Sequence, residues 1–192
     1  VTAFKIAGIA LITQEQAQEV LKPFINRQLS LDRIKEAGDA VTNLYAQMGR
    51  MAQAVIPPQD VVGGVITIKI IEGKVGNVII ELNKESPSRL KSEVIQKFIT
   101  NSNEPGDFID LKGLERSLAI LNETPGNEVN GELAQGDKEE TTNIVVNAKD
   151  TGLFAGRVDL SNYGAANTGP AQAVASLSLN NPSGIGDQAT LD

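Results

Sequence analysis

The feature that most restricts this chain is that its first 150 residues spell one order of elements twice, at an offset of about 75 residues. Each copy opens on a short alternating strand, with Phe4, Ile6 and Gly8 in the first and Val78, Ile80 and Leu82 in the second. Two helices follow. In the first copy Thr13 and Gln16 have the spacing of a capping box. Ala17, Val20, Leu21 and Phe24 share a face until Pro23 disturbs the last turn. Leu31, Ile34, Val41, Tyr45 and Met48 form the stripe of the next helix, with Gly49 as its stop. The counterparts start at Ser86-Pro87, a cap followed by proline at the first helical position, with Leu90, Val94 and Phe98 four apart. Leu111, Leu114, Leu118 and Leu121 then run to Pro125-Gly126. Two strands close each copy: 52–56 and 65–71 in the first, joined through a Gly63-Gly64 hairpin, and 128–134 and 143–148 in the second. A fixed offset points to duplicated modules, 1–75 and 76–150.

Strand chemistry indicates which edge of each module is open. Residues 52–56 run into Pro57-Pro58, and proline cannot donate to a sheet ladder, so this is an edge strand. Residues 65–71 are nearly all β-branched and fit the centre of the sheet. A free edge beside helices suits capture of an extended peptide by strand addition. The candidate partner-binding residues are therefore Ala52, Gln53, Ala54, Val55, Ile56, Pro57, Pro58 and Gln59 in the first module. In the second they are Glu128, Val129, Asn130, Gly131, Glu132 and Leu133. For Pro57-Pro58-Gln59 two readings stand: a turn that ends the strand, which is favoured, or direct partner contact. Glu72-Gly73 reads as a strand end and module junction.

The last forty residues alternate differently. Phe154, Val158 and Leu160 fall on one face, and Arg157, Asp159 and Ser161 on the other. After Asn162-Tyr163-Gly164 the alternation resumes, with Ala171, Ala173, Ala175, Leu177 and Leu179 against Gln172, Val174, Ser176, Ser178 and Asn180. A third run begins at Ile185 and continues to Asp192. Period two with an apolar outer and a polar inner face is the pattern of a transmembrane β-strand. Three strands cannot close a barrel, so a barrel is expected to continue elsewhere. Arg157 and Asp159 would line its pore; the plainer reading is that they solvate a half-buried sheet.

The chain has no histidine and no cysteine. An enzyme made from it would depend on carboxylates, lysines or hydroxyls. Glu139-Glu140 beside Gly136-Asp137-Lys138 resembles a carboxylate pair but falls in a hairpin turn with no base or phosphate loop nearby, and reads as solvated loop. No catalytic residue, metal, cofactor or small-molecule substrate is expected. Net charge is −7, and no basic stripe exists to neutralise phosphates, which argues against nucleic acid. No apolar run is long enough for a membrane-spanning helix. The chain opens at Val1 without a basic-then-apolar leader, so any signal peptide is expected to have been removed.

Taken in order, the short words of this sequence resemble one family. Ile56-Pro57-Pro58-Gln59-Asp60, Gly64-Val65 and Ile70-Ile71-Glu72-Gly73 resemble the signature of the polypeptide-transport-associated (POTRA) domain in outer-membrane transporters of two-partner secretion. Leu114-Glu115-Arg116 through Leu121-Asn122 to Pro125-Gly126 is similar to the second such domain. Ser161-Asn162-Tyr163-Gly164, Thr168-Gly169, Asn181-Pro182 and Gly184-Ile185-Gly186-Asp187 resemble the first strands of the family's barrel. Arg50 and Met51 stand where the family has an aromatic residue. The resemblance implies an α+β fold: two tandem POTRA domains, each β-α-α-β-β with a three-stranded mixed sheet packed on two helices, then at 151–192 the first antiparallel strands of a transmembrane β-barrel. It implies the outer membrane of a Gram-negative-type bacterium, with these residues facing the periplasm. It also implies a partner, a secreted adhesin- or haemolysin-like exoprotein in unfolded form. A general barrel-assembly factor is the alternative. Glycosidase-like carboxylate chemistry fares worst, because two small modules offer no cleft for it.

Overall fold

The computed structural model describes residues 1–162, 169 and 171–192. Its elements run β1 (Ala3–Ala7), α1 (Gln14–Leu21), a 3-10 turn (Lys22–Phe24), α2 (Leu31–Gln47), β2 (Ala52–Val55) and β3 (Val65–Glu72). The same order returns in β4 (Lys74–Leu82), α3 (Ser92–Thr100), α4 (Leu111–Glu123), β5 (Asn127–Gln135) and β6 (Thr141–Asp150). Three further strands follow, β7 (Phe154–Ser161), β8 (Gln172–Asn180) and β9 (Gln188–Leu191). Three sheets result, in the orders β1-β3-β2, β4-β6-β5 and β7-β8-β9. Contacts divide the chain into two compact bodies. One comprises Val1–Asn77, Ser102–Glu115 and Leu133–Ile144; the other comprises Val78–Asn101, Arg116–Glu132 and Val145–Asp192.

In the first body β3 is central, parallel to β1 and antiparallel to β2. Its isoleucines at 66, 68 and 70 are buried, together with Ala17 and Leu21 of α1 and Ala37, Val41 and Tyr45 of α2. Each large apolar side chain so buried contributes roughly 1.5–3 kcal/mol. Thr13 caps α1 as expected: its hydroxyl accepts from the Gln16 N–H at 3.2 Å, and the Gln16 side-chain Oε1 accepts from the Thr13 N–H at 2.9 Å. Past Leu21 the missing N–H of Pro23 ends the α-helix in a 3-10 turn. Gly8 lies just beyond β1 at φ +81°, where a β-carbon would stand 2.2 Å from the Ile70 carbonyl oxygen.

Several local expectations are corrected. α3 starts at Ser92, not at Ser86, because the Asn83 side chain accepts the N–H groups of Glu85 and Ser86, at 2.8 and 2.9 Å, and turns the chain there. Pro87 instead bridges Lys149. The buried stripe of α3 is Ile95 and Ile99, preceded by buried Leu90, while Phe98 is exposed. Leu31 and Met48 are likewise exposed, so the α2 stripe runs through Ala37, Gly38, Val41 and Tyr45. Gly63 and Gly64 both have positive φ but close a nine-residue connection, 56–64, rather than a tight hairpin. The third strand of the tail begins at Gln188; Ile185 sits exposed in the preceding bend.

β7 pairs antiparallel with β8, and β8 with β9. The register keeps the two faces distinct. Phe154, Gly156, Val158 and Leu160 oppose Leu179, Leu177, Ala175 and Ala173, whereas Arg157 opposes Ser176 and Ser161 opposes Gln172. Phe154, Val158 and Leu160 are 66%, 70% and 79% exposed. Tyr163, Gly164 and Thr168, part of the barrel-like words, lie outside the described residues.

Candidate functional site

The candidate site of the first body is the outer edge of β2. Ala52, Gln53, Ala54 and Val55 pair on one side with Glu72, Ile71, Ile70 and Lys69 of β3. Ala52 and Ala54 turn their side chains toward the core, where Gly38 lets α2 approach: a β-carbon on Gly38 would come within 3.1 Å of the Ala54 β-carbon. Gln53 faces outward. Ile56, Pro57 and Pro58 follow the strand; the first two are partly buried and Pro58 is exposed. The Gln59 side chain turns back to β3, its carbonyl oxygen accepting from the Thr67 N–H at 2.7 Å and its amide donating to the Thr67 carbonyl at 2.8 Å. On the opposite side of the sheet, Gln18 and Gln14, one turn apart on α1, donate to the Phe4 and Ile6 carbonyls of β1 at 3.1 and 3.2 Å.

Alongside β2 runs an open groove of about 650 Å³. One wall is Met51, Gln53, Lys69 and Ile71; the other is the β5–β6 hairpin, with Asp137 and Glu140. The hairpin is closed by the Gly136 N–H to the Thr141 carbonyl at 3.0 Å and held by Asn77, which donates to Asp137 at 2.9 Å. Lys69 reaches Glu140 at 3.4 Å, but both side chains are half exposed and the pair is worth at most about 1 kcal/mol. Among the described residues no cluster of acidic residues is arranged to hold a metal ion.

The second candidate edge, β5, is more occupied. Glu128, Asn130 and Glu132 share a smaller groove of about 420 Å³ with Lys84, Asn147 and Lys149. Lys149 lies 2.8 Å from Glu128 and, by hydrogen bonding, holds that carboxyl below its usual range. Between them Val129 is buried, and its main chain is engaged by Asn122 of α4. The Asn122 carbonyl oxygen accepts from the Val129 N–H at 2.8 Å, and its amide donates to the Val129 carbonyl at 2.6 Å. Gly131 and Leu133 complete this edge, with Leu133 exposed.

Within the second body a polar cluster fixes the ends of β6 and β8. Arg89 pairs with Asp150 at 2.7 Å and donates to the Asn180 carbonyl at 3.2 Å. Ser88 donates to buried Asn127 at 2.8 Å, and the fully buried Asn181 accepts from the Gly186 N–H at 2.8 Å. On the polar face of β7, Arg157 and Asp159 pair with each other at 2.6 Å. Neither this cluster nor the amides of Gln59 and Asn122 are legible as a site in sequence, since their partners, many of them main-chain groups, are brought together only by the fold.

A sheet on two helices with this strand order matches a known model. The family model "POTRA domain, ShlB-type" matches residues 1–73. Residues 1–73 are thus similar to a ShlB-type POTRA domain. Beyond the domain, the chain is similar to the "Heme/hemopexin transporter protein HuxB" of Haemophilus influenzae, 26% identical over 183 residues, covering 95% of this chain and 32% of that protein. Among solved structures, CdiB from Escherichia coli superposes with a TM-score of 0.76 at 25% identity, covering 99% of this chain and 34% of that one. The N-terminal domain of Omp85 from Thermosynechococcus elongatus gives 0.60 at 28% identity over 79% of this chain and 66% of that chain. The chain thus spans about a third of the length of the curated relatives it matches. This POTRA-like unit is followed by a second β-α-α-β-β unit of the same kind and a three-stranded antiparallel sheet. The relationship is to the Omp85 superfamily and, within it, to outer-membrane transporters of two-partner secretion.

Proposed function

We propose that this chain is the substrate-recognition part of an outer-membrane protein transporter. Its two modules, 1–75 and 76–150, stand in the periplasm, and its last three strands, within 151–192, belong to a transmembrane barrel. The cargo is a secreted exoprotein of the adhesin or haemolysin kind, captured while unfolded and passed to the pore. Capture occurs by strand addition, in which backbone hydrogen bonds supply affinity and grooves beside the strand accept side chains.

The observation that carries this reading is the β2 edge. The N–H and C=O groups of Ala52 and Ala54 have no partner among the described residues, and Ala52 borders an open groove. The exposed apolar face of β7 supports the membrane assignment. Arg157 and Asp159, on the opposite face, line the pore in this reading. In this reading directionality comes from folding of the cargo outside.

A pull-down with immobilised chain tests the reading. It is expected to retain the unfolded amino-terminal secretion domain of an adhesin-like exoprotein in preference to nascent barrel proteins. Retention of barrel proteins and of no exoprotein domain would make the chain part of an assembly factor and overturn it.

A further inference from the structure

The phase of the β2–β3 ladder determines which main-chain groups face outward. Gly73 donates to the Met51 carbonyl at 2.9 Å, so Met51 and Gly73 form a hydrogen-bonded pair. Antiparallel pairs alternate between bonded and non-bonded. Gln53–Ile71 and Val55–Lys69 are therefore bonded inward, and Ala52 and Ala54 direct their N–H and C=O groups out of the sheet.

Continued two residues further, the same register would place Pro57 opposite Thr67 as the next bonded pair. Proline has no N–H to give. The ladder would stop there and leave both groups of Thr67 open on β3. Gln59 supplies what Pro57 lacks: one side-chain amide, at 2.7 and 2.8 Å, takes the place of a whole strand residue. Asn122 does the same to Val129 on β5, at 2.8 and 2.6 Å, and Gln14 and Gln18 occupy two carbonyls of β1.

We infer that these side-chain amides are edge closures: Gln59 keeps strand addition on the first module from running past the Ala52–Ala54 register, and Asn122 closes the second module's edge at Val129. Gln59 stops an incoming strand from running on along β3 past Val55. Asn122 excludes the second module's edge at Val129. Neither residue is a contact for the cargo; each removes a competing place for it. The inference rests on the strand-addition reading for its use, but the closures themselves do not.

Residue-resolved amide exchange separates the two. In the free chain, Thr67 and Val129 are expected to exchange slowly and Ala52 and Ala54 fast. Q59A is expected to speed Thr67 about tenfold while Lys69 is unchanged, and N122A to speed Val129 by a similar factor. Q59E, which keeps the acceptor but not the donor, leaves the Thr67 N–H slow and thereby excludes a general loosening of the loop. Slow Ala52 and Ala54 amides in the free chain, or unchanged Thr67 and Val129 rates in Q59A and N122A, overturn the inference. The probe is then the unfolded secretion domain of an adhesin-like exoprotein. It is expected to slow Ala52 and Ala54 in the natural chain without shifting the Gln59 side-chain amide signals, and to slow Val129 as well in N122A. A probe that binds but leaves Ala52 and Ala54 fast sinks strand addition while the closures stand. A probe that shifts the Gln59 amide makes it a displaceable placeholder and overturns the inference alone.

Discussion

The Tyr45 hydroxyl donates to Glu72 at 2.6 Å in the interior of the first body, and the same carboxylate oxygen accepts the N–H groups of Ala10 and Leu11 at 2.8 Å each. One buried carboxylate at the end of β3 therefore ties α2 to the connection between β1 and α1. Removing either partner has unequal consequences. Y45F leaves Glu72 two donors and is expected to cost about 1–2 kcal/mol. E72A leaves three donors without an acceptor and is expected to cost about 3 kcal/mol or more. Urea unfolding of the two variants against the natural chain checks the order.

The same pair gives a pH dependence. Burial, and then the hydrogen bond and charge of Glu72, push the Tyr45 phenol well above its ordinary value of 10.0. Below about pH 10 the phenol is neutral in folded and unfolded chain alike, and its contribution is fully present. As pH rises beyond that, only the unfolded chain ionises, so stability falls. Urea midpoints measured from pH 9 upward are expected to decline more steeply for the natural chain than for Y45F. Parallel slopes would show that Tyr45 ionises normally.

Gly8 predicts a severe single-residue effect. An alanine there would need both a left-handed backbone at φ +81° and space occupied by the Ile70 carbonyl oxygen. G8A is expected to cost about 3 kcal/mol or more, measured as a shift in the unfolding midpoint.

In the second body, the Arg89–Asp150 pair is mostly buried and shares its guanidinium with the Asn180 carbonyl. A double-mutant cycle of R89A and D150A is expected to return a coupling of about 1–2 kcal/mol, larger than for the exposed Lys69–Glu140 pair. Equal couplings would mean that burial adds nothing here.

The tail can be read with spin labels, and the absence of native cysteine leaves a clean background. In detergent micelles a nitroxide at V158C is expected to be accessible to oxygen, and one at R157C to a water-soluble nickel chelate. Identical accessibilities would remove the two-faced reading of β7.

The parts of the fold that depend on neighbours in sequence were legible there. The Thr13–Gln16 box, the β-branched run of β3 and the leucines of α4 each declare themselves within a few residues. Ser86-Pro87 carries the same local signal as a helix start, but Asn83 competes for those N–H groups and prevails. The carboxylate of Glu72 looked like a strand end because its partners stand at positions 10, 11 and 45. The β2 edge was legible from Pro57-Pro58. That Gln59 finishes it was not, because an amide acting on Thr67 is visible only once the register is known.

The α1 glutamines on β1 also bear on how copies of this chain meet. Open filaments require two different complementary patches on each molecule, one to give and one to receive. With the Phe4 and Ile6 carbonyls of β1 occupied, the β2 edge at Ala52 and Ala54 is the one that keeps both donors and acceptors open in the sheet of the first body. Two copies meeting through that same edge make a closed twofold pair, whose formation uses up the edge. At this sheet, a helix that lends its side chains to a strand works against ribbon-like polymerisation.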